Sequence, residues 1–196
     1  MRRESARGNK PKKGKSAPAT QPPQDAPERA RDLLLRLETG GPNPVNAAEE
    51  LDRLQGRLER DGTLELFREH VAELADAWSE TALRGERGRA WLTLVGAYDL
   101  KEHTLLVANL ALDPGLPGPL RSQACHVLAR LGGETASGAL QQVLLSGGDA
   151  QVRAASAESL GLLRDRSVRP VLETLLEEDL PRNVWNAVSE AADRLR

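Results

Sequence analysis

Residues 120–145 read LRSQACHVLARLGGETASGALQQVLL, residues 152–177 read VRAASAESLGLLRDRSVRPVLETLLE, and residues 184–196 read VWNAVSEAADRLR. A shift of 32 positions superimposes the three segments and places apolar side chains on apolar side chains, as at Leu131, Leu163 and Leu195. Self-similarity at a fixed period of about 20 to 50 residues is typical of repeat architectures. The chain therefore contains a tandem structural repeat whose third copy is partial.

Each copy is predicted to hold two short amphipathic helices, which we call helix A and helix B. Gly132-Gly133, Gly147-Gly148 and Pro181 interrupt the helical pattern between them. Neither helix can bury its apolar stripe alone, so the copies must stack on one another. Aromatic residues make up only 3% of the chain, whereas strands favour aromatic and β-branched side chains. We therefore predict an all-α fold, a right-handed α-solenoid of helical hairpins.

The charge is distributed unevenly along the chain. The formal net charge of the 196 residues is −2, yet residues 1–15 carry seven basic side chains against Glu4 alone. Residues 1–26 contain no Leu, Ile, Val or aromatic residue, so they cannot bury enough apolar surface to offset the entropy of ordering. We predict that residues 1–26 are a disordered basic arm. Its basic side chains, which could contact a polyanion without reading its sequence, are Arg2, Arg3, Arg7, Lys10, Lys12, Lys13 and Lys15. The alternative is a tail that only keeps the protein in solution.

Residues 27–85 are predicted to be helical but to diverge from the repeat. A first helix opens at Pro27, with Asp25 just upstream, and ends at Gly40-Gly41. The next helix is predicted to begin with a capping box at residues 46–49, read as Asn46-Ala47-Ala48-Glu49. A third covers roughly residues 63–83, and residues 86–116 look like a diverged repeat. In all, about ten helices are expected.

The segment 149–179 carries the most specific motif of the chain. It has an Asp at the start of helix A, Val-Arg in the first turn, an Ala-rich middle, Leu-Gly-x-Leu near the end, and Val-x-Pro-Val-Leu opening helix B. This pattern resembles the short HEAT-like repeat of phycobilisome lyases, which is widespread in bacteria, over about residues 86–196. The resemblance implies an armadillo-type superhelix that serves as a scaffold for protein–protein interaction, with the B helices on the inner, concave face.

The same resemblance implies a ladder of ion pairs between neighbouring repeats. Arg121 and Arg153 would supply its arginines, and Asp149 and Asp165 its carboxylates. Trp185 stands where the first two copies have arginine. The third copy therefore departs from the ladder, and an aromatic partner contact or a different cap is expected at Trp185.

The polar positions of the B helices are the predicted partner surface. A mixed polar groove suits a helical or extended peptide better than a polyanion, because its glutamates would repel phosphate. The partner-binding residues that we predict are Gln141, Gln142, Arg169, Glu173, Thr174 and Glu177, together with Trp185.

Other functions are less well supported by the residues. His70, His103 and His126 do not form a metal-ligand spacing with Cys125, and Cys125 aligns with Ala157 as a small core residue. We expect no cofactor, no metal, no membrane segment, and a cytoplasmic protein that is not an enzyme. Two alternatives stay open: a nucleic-acid-associated protein that uses the basic arm, and a HEAT-like enzyme of the lyase or DNA glycosylase type.

Overall fold

The computed structural model describes residues 25–79, 83–146 and 148–196. Within these residues there are ten α-helices and no strand, which confirms the predicted all-α class. The helices are α1 (Ala26–Glu38), α2 (Pro44–Arg60), α3 (Leu64–Ser79), α4 (Gly85–Ala97), α5 (Thr104–Leu112), α6 (Gly118–Leu131), α7 (Gly133–Leu145), α8 (Ala150–Leu163), α9 (Arg169–Leu175) and α10 (Arg182–Arg194). Short 3₁₀ turns, Lys101–His103 and Arg166–Val168, lead into α5 and α9.

The helices are arranged in two layers. The A helices of the repeats are α4, α6, α8 and α10, and each packs against the next. The B helices are α5, α7 and α9; α5 packs against both α6 and α7, and α7 packs against α8. Because every hairpin buries its apolar side against the hairpins beside it, the molecule is an α-solenoid, as the repeat predicted.

Small residues allow the A helices to approach closely. A Cβ atom on Gly96 in α4 would lie 3.2 Å from a methyl group of Val127 in α6, and one on Gly161 in α8 would lie 2.9 Å from the Cα of Ala191 in α10. The interval of 65 residues between the two glycines matches two repeats. Glycine therefore recurs where the next A helix packs tightly against the backbone.

The N-terminal helices continue the same structure. Helix α2 packs against α4 and extends the A layer, and one apolar core runs from Ala26 to Leu195. Polar contacts also join this segment to the first repeat: the Gln55 side chain donates to the carbonyl of Ala97 at 2.9 Å, and the Trp91 indole N–H donates to the carbonyl of Ala75 at 2.9 Å. Residues 27–79 and the repeats thus share one core.

The starts of the first two helices follow different rules. Asp25 caps α1, and its carboxylate accepts the backbone N–H of Glu28 at 2.7 Å. The capping box predicted at Asn46 is wrong, because α2 begins three residues earlier, after Asn43. Pro44 takes the first helical position, where its fixed φ suits the helix and its missing N–H costs nothing. Asn43 turns the chain into α2 with a φ of 55°.

The predicted basic arm falls largely outside the described residues, which begin at Asp25. Its last predicted residue, Ala26, is buried in the first turn of α1.

Candidate functional site

The arginines at equivalent positions of the A helices bind helix ends rather than carboxylates. Arg121 is buried, and its Nε donates to the carbonyl of Ala111 in the last turn of α5 at 3.0 Å. Arg153 repeats this contact one unit later, with its Nε 2.8 Å from the carbonyl of Leu144 in the last turn of α7. The last carbonyls of a helix have no partner within the helix. Each arginine therefore ties an A helix to the end of the preceding B helix.

The predicted aspartates have other partners, so the Asp/Arg ladder is wrong among the described residues. The carboxylate of Asp149 caps α8 by accepting the backbone N–H of Gln151 at 2.8 Å. Asp165 accepts the backbone N–H of Ser167 at 2.9 Å and the hydroxyl of Ser137 at 2.8 Å. The second of these bonds does join neighbouring repeats, since Ser137 lies in α7. The repeats are thus linked by a serine and an aspartate at this point.

A polar cleft lies beside that link. The backbones of α7 and α9 lie apart, and the space between α7 and the turn before α9 is a cleft of about 490 Å³. We call this opening the inter-repeat cleft. It is lined by Glu134, Ser137, Gly138, Gln141, Asp165 and Ser167. Two successive repeats therefore contribute hydroxyl, amide and carboxylate groups to one opening.

The inter-repeat cleft carries negative charge. Hydrogen bonds from the Ser167 side chain and backbone, and then from Ser137, hold the pKa of Asp165 below its ordinary value. Glu134 lies exposed on the same lining. Gln141 adds an amide 3.4 Å from the Ser137 hydroxyl. Such a lining can accept hydrogen bonds from a partner's Lys, Arg or amide groups.

The structure brings only one of the predicted partner-binding residues into this cleft, which is Gln141. Its neighbour Gln142 is exposed outside the lining. On α9, the Nε of Arg169 donates to the carboxylate of Glu173 at 2.7 Å. The Thr174 hydroxyl donates to the carbonyl of Pro170. Glu177 lies two residues beyond the end of α9.

Trp185 occupies the first turn of α10 with 44% of its surface exposed. It replaces the arginine that anchors the earlier A helices and makes no equivalent side-chain bond to α9 among the described residues. The start of α10 is instead tied to α8 by Asn183, whose amide donates to the carbonyl of Ala150 at 3.0 Å. Trp185 does not line the inter-repeat cleft.

Two features of the sequence point to the inter-repeat cleft. Asp165 and Ser167 form an Asp-x-Ser turn, a sequence that predicts a side chain bonding to the backbone two residues on. Glu134 lies in the first turn of α7, one turn before Ser137 and two turns before Gln141. What the sequence could not give is the separation of α7 from α9, which depends on how the hairpins stack.

The remaining predicted groups form no second site in the described part of the chain. Cys125 is fully buried, and this burial raises the pKa of its thiol to about 12. The described residues contain no group of three or more His, Cys, Asp or Glu side chains that could hold a metal ion. None of the helices that the structure describes is both long and apolar enough to cross a bilayer. The seven basic side chains of the predicted arm lie outside the described residues.

Residues 105–193 match the family model of HEAT repeats. This confirms the HEAT-like resemblance for α5 to α10, without distinguishing the phycobilisome-lyase type from other HEAT repeats. No curated protein and no solved structure is significantly similar to the chain.

Proposed function

We propose, from the HEAT-like repeats at residues 105–193, that this protein is a non-catalytic scaffold that binds another protein through the face formed by its B helices. HEAT repeats commonly serve as interaction scaffolds and are typically non-catalytic. Fold alone does not specify a function, so the proposal depends on what this face offers to a partner.

The observation that carries the proposal is the inter-repeat cleft. Where α5 and α7 pack together, the B face is closed, but between α7 and α9 it opens and exposes polar groups from two repeats. The Ser137–Asp165 hydrogen bond joins the two repeats beside this opening. A polar recess between two repeats can orient a bound segment.

The chemistry of the cleft favours a partner segment that presents basic or amide side chains. Glu134 and Asp165 provide carboxylates, and Gln141 provides an amide that can both donate and accept. A phosphate-bearing ligand would be repelled by the two carboxylates. The bound segment is therefore proposed to be a helical or extended peptide with Lys or Arg near its centre.

Two adjacent glutamines provide a matched test. Gln141→Arg places a long cation in the inter-repeat cleft, whereas Gln142→Arg places the same cation on the neighbouring exposed position outside it. Full-length protein and both variants would be used to capture partners from the source organism, with quantitative mass spectrometry. We expect the recovery of a partner to fall at least tenfold with Gln141→Arg. With Gln142→Arg it should stay within twofold of the wild-type recovery. Equal recovery with all three proteins would contradict the proposed site.

A second candidate function rests on the arm. Residues 1–15 carry seven basic side chains and one acidic one, whereas residues 25–196 carry 20 basic and 28 acidic side chains. We propose that this arm can attach the protein to a polyanion without sequence recognition, because it offers cations but no aromatic platform for bases.

A further inference from the structure

A second cleft lies on the other side of the turn that precedes α9. This open cleft, which we call the arginine cleft, has a volume of about 720 Å³ and is lined by Gly161, Leu162, Arg164, Arg166, Arg194 and Leu195. The turn distributes its side chains alternately: Asp165 and Ser167 line the inter-repeat cleft, whereas Arg164 and Arg166 line the arginine cleft. Two openings of opposite charge are therefore adjacent.

The guanidinium groups of the arginine cleft are largely uncompensated. Arg164 and Arg166 form no ion pair or side-chain hydrogen bond with any described residue. Arg194 has one carboxylate near it, that of Glu190, at 3.9 Å. The other carboxylates nearby in sequence are engaged elsewhere, since Asp193 pairs with Arg196 at 2.9 Å and Asp165 bonds to the two serines of the inter-repeat cleft.

The backbone helps to gather these groups. Arg164 ends α8 in the left-handed region with a φ of 55°, a conformation that side chains other than Gly, Asn and Asp adopt rarely. Gly161 brings α8 and α10 together, and the Cδ of Arg194 would lie 3.4 Å from a Cβ at that position. Cations at helix C-termini also stabilise their own helices, but that effect does not require three arginines from two helices to line one opening.

We propose that the arginine cleft is a binding site for an acidic segment of a protein, recognised through carboxylate or phosphate oxygens. Arginine presents a planar fork of donors that matches both of these oxyanions. The exposed Leu162 adds an apolar contact that a peptide side chain can use. A long nucleic acid fits less well, because residues 25–196 have a net charge of −8, from 20 basic and 28 acidic side chains, and would repel phosphates beyond the opening. This proposal goes beyond the inter-repeat cleft and does not require that cleft to bind anything.

The test compares two charge-matched double variants of the full chain. Arg164→Asn with Arg166→Gln removes two charges from the arginine cleft, and asparagine suits the left-handed position of residue 164. Arg57→Gln with Arg60→Gln removes two exposed charges from the last turn of α2, where neither side chain has an ion pair with a described residue. Both variants keep the basic arm, so its contribution to binding cancels.

Binding would be measured by fluorescence anisotropy with three labelled probes of similar length: an oligo-glutamate peptide, a glycine-serine peptide with one phosphoserine, and a single-stranded oligonucleotide. For at least one peptide we expect a loss of tenfold or more in affinity with the cleft variant and less than twofold with the α2 variant. Which peptide responds identifies carboxylate or phosphate as the recognised group.

Three results would overturn the proposal. One is equal loss with both variants, which would indicate only a general effect of net charge. Another is no measurable binding of either peptide to the wild-type chain. The third is an oligonucleotide that binds more tightly than both peptides and responds to the cleft variant. Thermal unfolding and the single variant Arg194→Gln separate loss of the site from loss of the fold, since Arg194→Gln leaves the turn before α9 unchanged and should weaken the same peptide.

Discussion

At the scale of single residues, Gly161 shows how closely the A helices are packed. Its missing side chain leaves room for the backbone of α10, because an added Cβ would lie 2.9 Å from the Cα of Ala191. A glycine in a B helix, Gly138 of α7, is exposed, and a Cβ added there would have no atom within 4 Å. The same substitution should therefore have opposite effects at the two positions.

We predict that Gly161→Ala lowers the free energy of unfolding by about 1–3 kcal/mol, because the extra atom forces α8 and α10 apart. Gly138→Ala should raise it by about 0.5–1 kcal/mol, since alanine is the better helix former and meets nothing. Urea denaturation of both variants measures the two changes. A Gly161→Ala protein as stable as the Gly138→Ala protein would contradict the close approach of the A helices.

Asp165 gives the inter-repeat link a pH dependence. Its pKa is lowered by hydrogen bonds from Ser167 and then Ser137, so its stabilising effect is complete above the ordinary pKa of 3.8 and is lost as the pH falls through the lower folded value. We predict that the difference in unfolding free energy between wild type and Asp165→Asn is constant near neutral pH and shrinks below about pH 4. Urea unfolding of both proteins between about pH 3 and pH 7 measures this difference. A difference in unfolding free energy that grew as the pH fell would contradict the lowered pKa of Asp165.

At the scale of secondary-structure elements, arginine side chains close the open ends of helices. Arg121 and Arg153 reach the last turns of α5 and α7, and Arg68 bonds in the same way to the carbonyl of Tyr98 just after α4, at 2.8 and 3.1 Å. These three helix junctions therefore use the same arginine–carbonyl contact, one beside the N-terminal segment and two within the repeats. The chain departs from it at Trp185.

The burial of Arg121 and Arg153 predicts which substitution lowers the free energy of unfolding more. Arg121→Met should cost about 1–3 kcal/mol, because it leaves a buried carbonyl without a donor. Arg153→Met should cost less, since Arg153 is only half-buried and water can replace part of its bond to Leu144. Urea denaturation ranks the two, and a larger effect at Arg153 would contradict this reading of the junctions.

The sequence predicted the helices well because the 32-residue period fixes which apolar side chains face the core. It predicted side-chain partners poorly. Arg153 could have bonded to an aspartate or to a helix end, and the choice depends on which acceptor lies nearer after the hairpins stack. The carbonyl of Leu144, in the last turn of α7, lies within reach and accepts the bond. The inter-repeat cleft was missed for the same reason, since Gln141 and Gln142 look equivalent until the separation of α7 and α9 is known.

At the scale of the whole molecule, charge is segregated between the basic arm and an acidic body. We predict that removal of residues 1–24, which leaves α1 and its Asp25 cap intact, abolishes retention on heparin at low salt. The unfolding midpoint should not change, because the truncated chain keeps the apolar core that runs from Ala26 to Leu195. Retention that is equal with and without the arm would end the polyanion proposal and leave the protein-binding proposal untouched.

The central claim is that partners bind the B face at the opening between α7 and α9. Hydrogen–deuterium exchange of the full chain, alone and with a partner recovered by the wild-type protein, tests this claim most directly. We predict slower exchange in residues 133–145 and 165–175 on binding, and little change along α2 and α4. Protection confined to the A helices, to the neighbourhood of Trp185 or to residues 1–24 would contradict it.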